Sequence, residues 1–156
     1  MKIEFEDSTE EIIERIYDKG SRFDFHLDLK TIFKNGKIEI FIVDSWVNED
    51  LLEIYLKNLS FNIKIRILCG DKPKENFVKV GNMFNLQYKS LEVRESQDVH
   101  DRAIFCDEHG YVLGQSIKDA AKSKPTYLIK LKEPKKLKDI YEKIWITSKT
   151  TLTKII

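Results

Sequence analysis

The sequence predicts an α/β domain, a mixed and largely parallel sheet flanked by helices on both faces. Two short runs dense in β-branched and aromatic residues, at 37–43 and 61–69, enclose a helical pattern. Strand, helix and strand thus follow within about 35 residues, the spacing of a right-handed parallel crossover. From residue 99 onward further strand patterns come close together, at 99–106, 111–113 and 127–131. The chain has 156 residues, 42% of them hydrophobic, with 9 Phe, 6 Tyr and 2 Trp against 6 Gly and 3 Pro. A chain of this length buries roughly 70% of its unfolded surface, enough for a core without disulfides, and this composition excludes a collagen-like or disordered chain.

Each element has its own signal. Ser8-Thr9-Glu10-Glu11 has the form of a capping box, and Ile12, Ile13, Ile16 and Tyr17 fall on a helical stripe that Gly20 stops, predicting a helix over 8–19. A second helix is expected over 22–34 through Phe25, Leu29, Ile32 and Phe33, with a left-handed stop at Asn35-Gly36. The run 37–43 reads as a strand buried on both faces. Asn48-Glu49-Asp50 opens a helix carrying Leu51, Leu52, Tyr55, Leu56 and Leu59, and 61–69 alternates through Ile63, Ile65 and Ile67. The segment 74–88 is amphipathic but weakened by Gly81-Asn82, and 91–94 is a short third strand. A short helix is expected over 116–122 and a final one over 134–147, with Leu137, Ile140, Tyr141, Ile144 and Trp145 on one side. Without a repeat, low-complexity stretch or linker, 1–156 reads as one domain.

Composition narrows the function classes. Lys plus Arg number 27 and Asp plus Glu 26, a formal charge of +1. No global field therefore draws the chain to nucleic acid or anionic membrane, and any such binding must come from a local patch. The late lysines 118, 122, 124, 130, 132, 135, 136 and 138 are a local excess best read as a solvated face. No apolar run is long enough to span a bilayer, and the opening Met1-Lys2-Ile3-Glu4-Phe5-Glu6-Asp7 is acidic where a secretory signal is basic and then apolar. A cytoplasmic location is expected. Cys69 and Cys106 each sit in an apolar run and read as reduced core thiols, and no Cys/His spacing suggests a metal.

Of the three histidines, His100 alone lies beside a cation in a strand-like run. On a strand His100 and Arg102 project together while Asp101 points away. A guanidinium forks onto two phosphate oxygens while an imidazole beside it can attack phosphorus or move a proton. Asp107 follows, then Gly114 and Ser116 beyond a tight turn, with Lys118 one turn further, where a loop-to-helix junction would hold a phosphate. Trp46 and Tyr127 could stack on a base, but isolated aromatics in an α/β domain are more often core, and both are expected there.

The spacing His100-x-Arg102-x4-Asp107-x6-Gly114 resembles the phospholipase D superfamily motif His-x-Lys-x4-Asp-x6-Gly, with Arg for Lys. It is closer to the His-Asp-Arg variants found in small prokaryotic phospholipase D-like domains and in the domain that ends MIT-domain proteins. Ile42-Val43-Asp44-Ser45-Trp46-Val47 is similar to the opening of those domains, and the likeness covers about residues 21–131. The resemblance implies one phospholipase D-like half and phosphodiester chemistry without metal or other cofactor. His100 would be the nucleophile, Arg102 the phosphate holder, and Asp107 the support of the histidine's orientation. His100, Arg102, Gly114, Ser116 and Lys118 would form the phosphate site. A single motif requires a homodimer to supply the second histidine. The chain departs from the pattern in Arg102 and in Gly114-Gln115-Ser116-Ile117, where the family has Gly-Ser-x-Asn. Two functions follow: a degenerate domain that binds a phosphate-containing ligand, nucleic acid or lipid headgroup, or a protein partner without catalysis; and a homodimeric phosphodiesterase acting through a phosphohistidine.

Overall fold

The computed structural model describes residues 11–59, 62–70, 73 and 75–152. Its elements run β1 (Glu14–Tyr17), α1 (Arg22–Lys34), β2 (Glu39–Asp44), a helical turn (Leu51–Leu56), β3 (Lys64–Cys69), α2 (Glu75–Tyr88), β4 (Leu91–Glu95), β5 (Arg102–Cys106), β6 (His109–Leu113), β7 (Thr126–Lys130), α3 (Pro134–Thr147) and β8 (Lys149–Leu152). Among the described residues these strands form one sheet in the order β1-β7-β6-β5-β2-β3-β4-β8.

The sheet is mixed, but it is not largely parallel. Only β2 with β3 and β3 with β4 run parallel. β1/β7, β2/β5, β4/β8, β5/β6 and β6/β7 are antiparallel. The crossovers end at β4; β5 returns past β3 to pair antiparallel with β2, β6 follows it through a tight hairpin, and β7 pairs antiparallel with β6 after the 114–125 loop.

Alternation along β2 explains the two cores. Ile40 and Ile42 face α1, the helical turn and α2, where Phe25, Leu29, Phe33, Leu52, Leu56 and Phe77 pack. Phe41 and Val43 face Tyr141 and Trp145 of α3. All four β2 side chains are fully buried, as expected of a strand covered on both faces. Helices flank both faces, with α3 alone on its side.

Several local expectations are corrected. Residues 14–17 form a strand where a helix was predicted, because pairing with β7 satisfies the backbone and Tyr17 donates its hydroxyl to Asp28 on α1 at 2.6 Å. Most of the capping-box residues lie outside the described residues. Asn35 keeps a right-handed φ of −80°, so α1 ends without a left-handed residue, its N–H bonding Thr31 O at 3.2 Å. The helix expected from Asn48 is one wide turn, its end marked by the i+5 bond from Lys57 N–H to Leu52 O at 3.1 Å. Residues 116–122 form turns rather than a helix. Arg22 accounts for this: its Nη1 donates to the carbonyls of Ile117 at 2.5 Å and Ala120 at 3.0 Å, drawing both out of helical use. β8 was not foreseen, since in Lys149-Thr150-Thr151-Leu152 only Leu152 is buried.

Cys69 and Cys106 are free and buried. Burial pushes both thiols up to about 12, so neither is a thiolate at neutral pH. No helix among the described residues is long and apolar enough to cross a membrane.

Candidate functional site

The C-terminal ends of β2 and β3 and the N-terminal end of β5 meet along one rim of the sheet. At its centre is Asp44, the last residue of β2 and 1% exposed. Its Oδ1 accepts from Trp46 N–H at 3.0 Å, and its Oδ2 accepts from Ile117 N–H at 2.8 Å and the Ser116 hydroxyl at 3.1 Å. Burial raises the Asp44 carboxyl above its ordinary range, opposed by these three donors and by the charge of Arg102. The Arg102 Nε is itself buried with no hydrogen-bond acceptor. A buried carboxylate, a partly buried guanidinium and the 114–122 loop therefore form one electrostatic unit. In the sequence Asp44 belongs to the strand opening alone; an acidic residue at the end of an otherwise apolar strand is the signal that marks it.

His100 does not sit on β5. It lies in the preceding loop, so strand alternation does not carry it beside Arg102. Its side chain is 95% exposed, with Nδ1 3.6 Å from Asp101 Oδ1. The Ser45 hydroxyl is shared between the carbonyls of Val99 at 3.1 Å and His100 at 3.0 Å, fixing the loop's backbone but not the imidazole.

Asp107 cannot orient His100. The two lie at opposite ends of β5, on the order of 20 Å apart at strand rise. Asp107 instead occupies the β5–β6 turn with φ +53°, a conformation Asp tolerates. Its Oδ2 accepts from Lys37 N–H at 2.9 Å, and its Oδ1 from Ile38 N–H at 2.8 Å and Glu39 N–H at 3.0 Å. It pins the hairpin to the start of β2.

Burial alone would raise the Asp107 carboxyl, but these backbone donors outweigh it and hold the group below its ordinary value of 3.8. A depressed carboxyl contributes stability above the unfolded pKa and loses it as pH falls through the folded one. Asp107→Ala is accordingly expected to cost about 1–2 kcal/mol at pH 7, allowing for solvent screening, and progressively less below pH 3.8. Urea unfolding at a series of pH values reads this directly.

The expected phosphate set divides. The Gly114 amide donates to Tyr127 O at 3.2 Å, and a Cβ there would lie 2.6 Å from Thr126 Oγ1, so glycine serves the close approach of β7. The Ser116 hydroxyl is 2% exposed and engaged by Asp44 and the Trp46 carbonyl. Lys118 is partly buried and pairs with Asp119 at 2.7 Å. His100, Arg102 and Lys118 remain as surface or partly buried nitrogen donors toward an anion. Trp46 and Tyr127, expected in the core, are 60% and 40% exposed. The late lysines divide: Lys135 and Lys136 stand on a solvated face beside Asp139 and Glu133, whereas Lys118, Lys130 and Lys138 are largely covered and paired with Asp119, Glu11 and Glu39.

By sequence, no family model and no curated protein matches the chain. Solved structures do match. The archaeal chromatin protein TrmBL2, whose structure shows a novel mode of DNA binding, aligns at 16% identity and TM-score 0.58 over 96% of this chain and 57% of its own. NucT from Helicobacter pylori aligns at 13% identity and TM-score 0.67 over 88% of this chain and 98% of its own. The phospholipase D family member Nuc from Salmonella typhimurium aligns at 11% identity and TM-score 0.67, over 88% and 96%. The fold is therefore that of a phospholipase D-like domain, as the resemblance implied. This chain spans just over half of TrmBL2 and nearly the whole of the NucT and Nuc chains.

Proposed function

We propose that this is a non-catalytic phospholipase D-fold domain that binds a phosphate-containing anion at the rim around Arg102 and His100. The observation that carries the reading is the state of His100. A nucleophilic imidazole needs a partner that fixes its tautomer and aim, and here the ring is 95% exposed while Asp107 is spent on the backbone of β2. Arg102 keeps a permanent charge and planar donors, which suit phosphate binding better than they replace a lysine in a reacting site. The DNA-binding description of TrmBL2 and the phospholipase D family description of Nuc support a phosphate-bearing ligand. A cytoplasmic location is part of the reading, supported by Cys69 and Cys106 standing unpaired at opposite ends of the sheet.

The test has two arms. Single-stranded DNA, RNA and a chromogenic phosphodiester are incubated with the protein in excess EDTA, and no cleavage is expected. Inorganic phosphate is titrated by 31P line broadening, and Arg102→Gln is expected to weaken binding at least about tenfold, with folding checked by circular dichroism. Cleavage abolished by His100→Ala overturns the reading.

A homodimeric phosphodiesterase is the second reading, favoured by the match over 98% and 96% of the NucT and Nuc chains. There His100 would attack phosphorus, one P–O bond breaking as the P–N bond forms. The leaving alkoxide would take its proton from His100 of the second subunit, and water would then release the phosphate from the phosphohistidine. Cleavage in EDTA by a sedimenting dimer would establish it.

A further inference from the structure

We propose that the anion bound at this rim is a nucleotide, its base seated in a recess beside Trp46. The inference rests on the reading of the rim as a phosphate site and specifies what the phosphate carries.

The recess has a volume of about 250 Å³ and is lined by Ser45, Trp46, Gly70, Ser96, Gln97 and Val99. It opens outside the carboxyl ends of β2 and β3, the end of an α/β sheet where ligands gather. Backbone forms one wall: Gly70 N–H donates to Ser45 O at 3.2 Å, and a Cβ on Gly70 would stand 2.7 Å from that oxygen. The volume falls below the roughly 300–1,000 Å³ of drug-sized sites, room for one planar ring system rather than a lipid chain.

Trp46 is the second element. Its backbone is held at both polar groups, the N–H by Asp44 and the carbonyl by the Ser116 hydroxyl, yet its side chain is left 60% exposed. Leaving a large aromatic in water forgoes burial energy, and an exposed indole on a held backbone can serve as a stacking platform for a base. Ser96 and Gln97 add polar groups at the recess edge, where a ring's heteroatoms would be read. The Ser45 hydroxyl ties this wall to the His100 carbonyl, so the ring recess and the phosphate side of the rim are joined through one residue.

The protein reports on itself, because it has two tryptophans and Trp145 is only 7% exposed beneath Phe41 and Arg66. Quenching of exposed tryptophan fluorescence therefore follows Trp46. Adenosine 5′-monophosphate, ribose 5-phosphate, inorganic phosphate and phosphatidic-acid vesicles are titrated, with 31P line broadening as the independent readout of the phosphate. The nucleotide is expected to bind at least about tenfold tighter than ribose 5-phosphate and to quench Trp46. Trp46→Ala is expected to abolish that advantage while inorganic phosphate still binds, and Trp46→Phe to keep most of it. Equal binding of the two phosphates, still dependent on Arg102, overturns the nucleotide and leaves the anion site standing. Binding of vesicles with no preference for the base overturns it in favour of a lipid headgroup. Failure of every phosphate to bind overturns the anion reading itself.

Discussion

Arg66→Ala is expected to destabilise the fold by about 3–5 kcal/mol, the range for removing one partner of a buried ion cluster. Arg66 lies on β3 beneath α3, with its side chain 5% exposed. Its Nη2 is 2.7 Å from Glu39 Oε1 and 2.6 Å from Glu142 Oε1, and its guanidinium carbon stands 4.1 Å from the Phe41 ring centroid and 5.1 Å from that of Trp145. The Glu142 contact is ionic rather than an aligned hydrogen bond, since Glu142 Oε1 has no bond of good geometry. One cation thus joins β2, β3 and α3. Its loss leaves two carboxylates near an apolar face, with Lys138 and Lys64 only 3.5 and 3.8 Å from Glu39 as partial replacements.

The pH dependence follows from Glu39. Burial pushes its carboxyl up, but Arg66 and the lysines prevail and hold it below 4.5. Its contribution is present above the unfolded pKa and lost as pH falls through the folded one. The cost of Arg66→Ala should therefore shrink below pH 4.5, where protonated carboxyls no longer need the cation. Urea midpoints measured from pH 3 to 7 test both statements, and a flat difference across that range would refute the assignment. Replacing all three charges by Arg66→Met with Glu39→Gln and Glu142→Gln is expected to restore most of the stability, because the burial cost of charge disappears with the charges.

Asp44→Ala is expected to cost about 3 kcal/mol by leaving the Trp46 and Ile117 amides without an acceptor and the Ser116 hydroxyl with the Trp46 carbonyl alone. Asp44→Asn should cost less, since a neutral amide removes the burial penalty of the charge while turning its NH2 onto one of the donors. Because burial raises the Asp44 carboxyl, the folded state holds this proton more tightly than the unfolded one, and stability declines as pH rises from 3.8 through the folded pKa. That decline should vanish in Asp44→Asn, which chemical unfolding at a series of pH values rising from 3.8 would show. The 114–122 loop should also loosen, read as faster amide exchange at Ile117.

Much of the fold was legible because local and global preferences agree. The run 37–43 is apolar at successive positions, which only a strand covered on both faces can use, and β2 is buried on both faces. The helical stripes of α1, α2 and α3 likewise carry their own burial. The termini of the sheet were opaque for the opposite reason. Ile12, Ile13, Ile16 and Tyr17 satisfy a helical period as well as a strand, and the polar run at 149–152 satisfies neither strongly. Pairing with β7 and β4 decided both.

The site was legible as residue types and not as geometry. The spacing from His100 to Gly114 predicted the phospholipase D-like fold, and Asp107 and Gly114 hold it together by pinning a turn and admitting a neighbouring strand. The sequence by itself determined the α/β class, the βαβ unit, the buried thiols and the balanced charge, since these depend on composition and on contacts within a few dozen residues. Only the tertiary structure decided the antiparallel majority of the sheet, the release of His100 from its strand, the burial of Asp44 beneath Ser116 and Ile117 and the exposure of Trp46. Each of those turns on which distant segment supplies a hydrogen bond or covers a side chain, a choice made by packing across the whole domain.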